Sequence, residues 1–155
     1  MSTNKLQDTN PHAASVMCLS VRQPFAWAIV QGLKDTENRW GGFACTHHGL
    51  FLVHTGKECT AAEYSKGVAR IHKVDRSIVV PPLAELPRGG IVGRARAKRY
   101  VRKSSSPWFD GPIGIELAEQ RPMPFVKCGG ALGWFHCPDE AFIELRRLVR
   151  TAMAT

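Results

Sequence analysis

The sequence predicts a small α+β domain in which several short strands form a curled or closed sheet, flanked by about three helices. Three observations carry that expectation. A chain of 155 residues can bury one sizeable core but is too short for two comfortable ones. Short apolar runs with period-two alternation recur between turn signals, as strands do. Three other segments carry helix signals, either apolar residues at i, i+3 and i+4 or a capping box. No internal repeat or low-complexity tract interrupts the pattern.

Residues 1–15, MSTNKLQDTNPHAAS, are polar and lack the apolar core of a signal peptide. A disordered lead-in is expected there, with a single domain over 16–155. The first helix is expected near 24–31. Pro24 suits its first position, and Phe25, Ala28 and Ile29 give it one apolar face. Gly32 ends it, because glycine takes the left-handed conformation without strain. The chain beyond should be extended, with Glu37 and Arg39 facing one side and Thr36 and Asn38 the other.

GLFLVHT (49–55) alternates as a strand. TAAE (60–63) is a capping box that opens a second helix, expected to reach about His72. The proline- and glycine-rich stretch 80–90 is a loop. Residues 91–101 alternate as a strand, 106–112 is a turn, and 113–117 is a short strand. Residues 121–125 are extended because proline biases its neighbours that way. ALGWF (131–135) is a last strand. A third helix opens at Pro138, Asp139 and Glu140, with acids at its positive end. Phe142, Leu145 and Val149 are its buried stripe, and Arg146, Arg147 and Arg150 are expected to close it.

Hydrophobic residues make up 44% and charged residues 22%, an ordinary globular balance. The formal net charge of +8 draws polyanions, and nucleic acid is the commonest of these. A basic surface kept for solubility is the alternative. The five cysteines are odd in number, far apart and never in a CxxC pair. That argues against a disulfide framework and a zinc knuckle, and for a reducing cytoplasm. No apolar run reaches the roughly 18 residues that a membrane span needs.

Three groups of residues can carry chemistry. Between 88 and 103 lie Arg88, Arg94, Arg96, Lys98, Arg99, Arg102 and Lys103, with no acid. On a strand Arg94, Arg96 and Lys98 share one face at intervals of about 6.6 Å, close to the phosphate repeat of a single nucleic-acid strand. A phosphate-tracking role is favoured over a merely solvated face. Lys34 and Glu37 form the second group. They are either a plain surface ion pair or, in a pocket, a pair that holds a base edge or moves a proton. The third group is aromatic. Trp108 and Phe109 sit in a Ser/Pro/Gly turn where core aromatics are less expected, and exposed rings there can stack on a base. Trp27 and Trp134 read as core, and Trp40, before a Gly-Gly turn, fits either role. Cys45, His47 and His48 lack metal-ligand spacing, and there is no GxSxG elbow and no HxE…PCxxC deaminase pattern.

LSVRQPFAWAIVQGLKDTENRW (19–40), GLFLVHTGK, GGIVGRARA and SPWFDGPIGIEL…PMPFVKCGGALGW resemble, in that order, the ASCH domain, a small β-barrel related to the PUA and EVE RNA-binding folds. Its G-x-K-x-x-E-x-R element stands here as Gly32, Lys34, Glu37 and Arg39. The variety with LSVRQP and SPWFDGP is similar to the subgroup named for endothelial-overexpressed lipopolysaccharide-associated factor. The resemblance covers about residues 17–137. It implies a PUA-like barrel with a cleft beside the first helix, and recognition of RNA or a modified nucleobase there.

In that cleft Glu37 is expected to accept from a base's exocyclic amine and Lys34 to meet a carbonyl or phosphate. Arg22, Gln23, Asn38 and Arg39 would shape the rim, with His54 and Lys57 reaching in from the neighbouring strand end and Trp108 and Phe109 closing over the base. Family relatives also include an N4-acetylcytidine amidohydrolase, with a threonine nucleophile where Glu37 stands, and a metal-dependent ribonuclease. Hydrolysis with Lys34 and Glu37 as the catalytic pair is therefore the alternative reading, and a protein-interaction adaptor is the third. No cofactor or metal is expected.

Overall fold

The computed structural model describes residues 16–154; the lead-in expected over 1–15 lies outside the described residues. Six strands and three helices follow one another in the described residues. They are β1 (Met17–Ser20), α1 (Phe25–Val30), β2 (Thr36–Arg39), β3 (Gly49–Thr55), α2 (Ala61–Val74), β4 (Gly90–Val101), β5 (Ile113–Lys127), β6 (Trp134–His136) and α3 (Asp139–Ala154). A short 3-10 turn, Leu83–Glu85, lies before β4. The strands form one sheet in the order β2-β5-β4-β3-β1-β6. It curls into a half-barrel, matching the expected small α+β barrel class. The pairing is antiparallel except for β1 beside β3, which is parallel.

The interior of the curl is filled by Leu19, Val21, Phe51, Val53, Ala95, Ile113 and Ile115, together with Ile29 and Val30 of α1. The opposite face carries α3, whose Ala141 and Leu145 cover Cys18, Leu52, Ile91 and Val126. Both faces of β3 are therefore buried from Phe51 to Thr55. A third cluster, Ala28, Ile71 and Trp108, joins α1 to α2.

Two expected segments, 113–117 and 121–125, are one long strand. Pro122 and Pro124 interrupt no ladder, because β2 pairs only with Ile113–Glu116 and leaves that edge of β5 unpaired beyond it. The register between β4 and β5 shifts three times. One shift lies at Ala97/Arg99, where β4 advances two residues while β5 advances one, a bulge that turns the strand. The capping box of α2 forms as expected, with Thr60 Oγ1 accepting from the Glu63 amide. The third helix runs on to Ala154, so Arg146, Arg147 and Arg150 lie before its last turn rather than closing it.

At Gly67 α2 presses against α1; a Cβ there would lie 2.4 Å from Pro24 Cδ and 2.6 Å from its Cγ. Alanine gains about 1 kcal/mol of helix propensity over glycine, but the rigid ring cannot yield, and overpacking costs about 1–3 kcal/mol. Gly67→Ala is therefore expected to lower the thermal midpoint, whereas Gly→Ala in an open helix interior raises it. A raised midpoint would contradict this close packing.

Candidate functional site

The cleft is built at the end of α1. Gly32 takes φ +79°, and the amides of Leu33 and Lys34 both bond back to Ala28 O. That tight turn sends Lys34 inward, where the residue is 4% exposed. The chain then enters β2, an edge strand held on β5 through Glu37 opposite Ile115 and Asn38 opposite Gly114. Alternation puts Glu37 and Arg39 on one side, as expected.

The three charges meet. Lys34 Nζ lies 3.1 Å from Glu37 Oε1, and an Arg39 guanidinium nitrogen lies 3.0 Å from Glu37 Oε2. Lys34 Nζ also donates to Thr36 O, and the guanidinium donates to Ser20 O at 2.7 Å. Gln120 ties this corner to β5 by donating to both Ile29 O and Lys34 O. The lysine stands 5.7 Å over the Phe25 ring and the guanidinium 5.4 Å over that of Phe43. Among the described residues, Arg39 Nε is a buried side-chain polar atom with no partner.

Above this floor opens a cleft of about 840 Å³. Ser20, Arg22, Phe25, Trp40, Lys57, Trp108 and the 131–133 loop help to line it. Trp40 is 49% exposed and stands edge-on to Phe43 at 5.3 Å. Sequence context left its role open; the structure places it at the cleft.

Several expected site residues hold the cleft in shape. Asn38 clamps the aromatic turn, its Nδ2 donating to Trp108 O and its Oδ1 accepting from the Asp110 and Gly111 amides. Arg70 grips the same turn through two bonds to Asp110 and one to Pro107 O. Trp108 is consequently 3% exposed and packed against α1 and α2. It borders the cleft without being the open ring that its Ser/Pro/Gly context suggests. Phe109 is half-buried against Gly111 and Gly114 and does not line the cleft. Gln23 is buried; it accepts from the Trp27 amide and donates to Pro87 O, which anchors the start of α1. Arg22 sits at the rim, paired with Glu63 at 2.9 Å.

His54 is buried and does not line the cleft. Its Nε2 lies 2.8 Å from Cys128 O. A carbonyl only accepts, so Nε2 carries the proton and Nδ1 accepts from Ser20 Oγ at 2.7 Å. A Cβ on Gly130 would lie 2.5 Å from His54 Cε1, so glycine lets the loop lie flat on the ring. His54 thus anchors the loop whose Ala131, Leu132 and Gly133 form one wall. Burial pushes its pKa below the usual 6.5, against the opposing effect of the Cys128 bond.

The basic strand lies apart from this site: Arg94, Arg96 and Lys98 are not among the cleft residues. Its cation row is interrupted. Arg96 pairs with Glu119 and Arg99 with Glu116 across the ladder. Lys98 stands at the bulge, and Arg94 borders a smaller groove of about 450 Å³ beside α3. Acids on β5 were invisible to a count along β4. Arg70 and Asp110 likewise left no local signal, being forty residues apart in sequence. Among the described residues no His, Cys, Asp or Glu cluster suits a metal ion, and no helix is long and apolar enough to cross a membrane.

No family model and no curated protein matches the sequence. By fold the chain is similar to the crystal structure of ASCH from Zymomonas mobilis, with TM-score 0.51 and 14% identity over 85% of this chain and 94% of that one. A mutant of the same Zymomonas mobilis protein matches with TM-score 0.50 and 14% identity over 85% and 96%. The architecture is that of the ASCH domain.

Two outcomes follow from the buried groups. Glu37→Ala leaves two cations together and is expected to cost about 3 kcal/mol. Lys34→Ala should cost less in the same denaturant melts, because Glu37 keeps Arg39. The second outcome concerns pH. His54 has a lowered folded pKa, so the unfolded chain protonates first as pH falls. The stability tied to neutral His54 is full above about pH 6.5 and is lost progressively below it. Melts from neutral to mildly acidic pH should show this loss in the wild type and a shallower one in His54→Gln.

Proposed function

We propose that the chain is an ASCH-domain module that binds RNA or a modified nucleobase in the cleft beside α1. The observation that supports this most is the Lys34–Glu37–Arg39 trio at the cleft floor. Lysine, glutamate and arginine are rarely this buried unless paired, and replacing a buried pair by apolar residues is often neutral or stabilising. A domain with an ample apolar core elsewhere does not need this trio for stability. Placed under an open cleft, it is suited to recognition.

The walls support the same reading. Trp40 is half exposed and lines the cleft, and stacking on a base is worth about 1–3 kcal/mol. Phe25 and the clamped Trp108 add apolar surface below it. Lys57 at the rim and the net charge of +8 favour approach by a polyanion. Arg94 and Lys98 form no ion pair among the described residues, so the β4 face can add phosphate contacts outside the cleft. The bonded positions of Asn38, Gln23 and His54 make them supports of the site.

The test is a titration of labelled single-stranded RNA at two salt concentrations, with strand length checked on the same samples. Trp40→Ala is expected to weaken binding about ten-fold, and Lys34→Met and Arg39→Gln should weaken it as well. Arg94→Gln should lower the salt slope by about one with a smaller loss of affinity. Unchanged binding in the three cleft variants would remove the cleft from the reading. Shortened strands, absent in those variants, would make the module a hydrolase.

A further inference from the structure

We infer that the cleft floor recognises one negative charge, the phosphodiester of a nucleotide chain, in preference to a neutral base edge or a terminal phosphate. This inference rests on the nucleic-acid reading of the cleft. It starts from how the charges there are paired.

Glu37 has both carboxylate oxygens engaged, one by Lys34 and one by Arg39. The floor therefore holds two cations against one carboxylate. The walls neutralise themselves: Arg22 pairs with Glu63, and Arg70 with Asp110. Lys57 and Glu58, neighbours at the rim, cancel in number. The lining as a whole has five cations and four carboxylates, and its surplus charge sits at the floor, where solvent screens it least.

Three consequences set the ligand class. A base amine seeking Glu37 must compete with two cations for oxygens already bonded, which disfavours a neutral base edge as the floor's target. An anion meets no such competition. Arg39 retains an unpartnered buried donor at Nε, so the guanidinium has bonding capacity left when an anion draws it. A terminal phosphate carries a charge of about −1.5 to −2. Its second charge finds no further surplus cation at the floor, where Glu37 already offsets one of the two. A phosphodiester carries one charge. A carboxylate does too, but the aromatic walls of Phe25 and Trp40 suit flanking bases. At about 840 Å³ the cleft is in the upper part of the range for small-molecule sites, with room on either side of the linkage.

The experiment is calorimetric titration of uridylyl-uridine, its neutral methylphosphonate-linked analogue, uridine 5′-monophosphate and acetate. The charged dinucleotide is expected to bind about ten-fold tighter than the neutral analogue and than the 5′-monophosphate, with acetate far weaker. Arg39→Gln should bring the charged and neutral linkages within about two-fold, and Arg39→Lys should keep most of the preference. Glu37→Gln raises the surplus to two and should narrow the gap to the 5′-monophosphate. Thermal melts of each variant identify any that has unfolded, and Arg39→Lys carries the comparison if Arg39→Gln does not fold.

Equal affinity for the charged and neutral linkages in the wild type would overturn the inference and leave the cleft reading standing. A 5′-monophosphate that binds as tightly as the dinucleotide would overturn the single-charge preference. Acetate binding as tightly as the dinucleotide would show a site for carboxylates. Loss of all binding here would overturn the inference too, and the RNA titration would then decide the broader reading separately.

Discussion

Glu37 is held between two cations, and much of the cleft's geometry serves to keep it there. The carboxylate cannot be removed from water unless both oxygens are bonded. Lys34 reaches one of them only because Gly32 turns the chain back under α1, and Arg39 reaches the other only because β2 is an extended edge strand. Gln120 then closes the corner from β5 by bonding the carbonyls of Ile29 and Lys34. A helix end, an edge strand and the sheet are thereby locked around one negative charge.

The walls follow a second rule, in which the uncharged side chains of Asn38, Gln23 and His54 each bind backbone. Asn38 spends its amide on the 108–111 turn, Gln23 on Pro87 and the start of α1, and His54 on Cys128 O. Loops at a cleft have carbonyls and amides that no ladder satisfies, and each must find a partner. Side chains that satisfy them also fix the loop's position. Several residues that resemble ligand-binding groups in sequence are therefore occupied in holding the cleft in shape. Free groups remain at the mouth, where Trp40 and Leu132 are exposed.

Electrostatics divides the molecule into two regions. On β4 the cations are exposed and partly answered by Glu116 and Glu119 from the next strand, so salt and solvent weaken them. At the cleft floor only Lys34, Glu37 and Arg39 act, and burial makes their interactions stronger.

Local chemistry was enough to establish much of this from sequence. The helix stop at Gly32, the capping box at Thr60–Glu63, the alternation of 49–55 and 91–101, and the shared side of Glu37 and Arg39 each depend on neighbours a few residues away. The short strand β1 went unread because four residues carry too little periodicity. The unity of β5 was hidden by prolines that only an unpaired edge tolerates. Whether Lys34 and Glu37 were a surface pair or a buried one could not be read from their spacing, since burial is conferred by α1, β5 and the cleft walls together. The exposure of Trp108 and the pairing of Arg96 were decided the same way, by Arg70, Asn38 and Glu119 brought in from distant positions. Sequence determined which charges exist and where the chain turns; only the tertiary structure decided which of those charges lose their water, because desolvation depends on what the rest of the chain places around them.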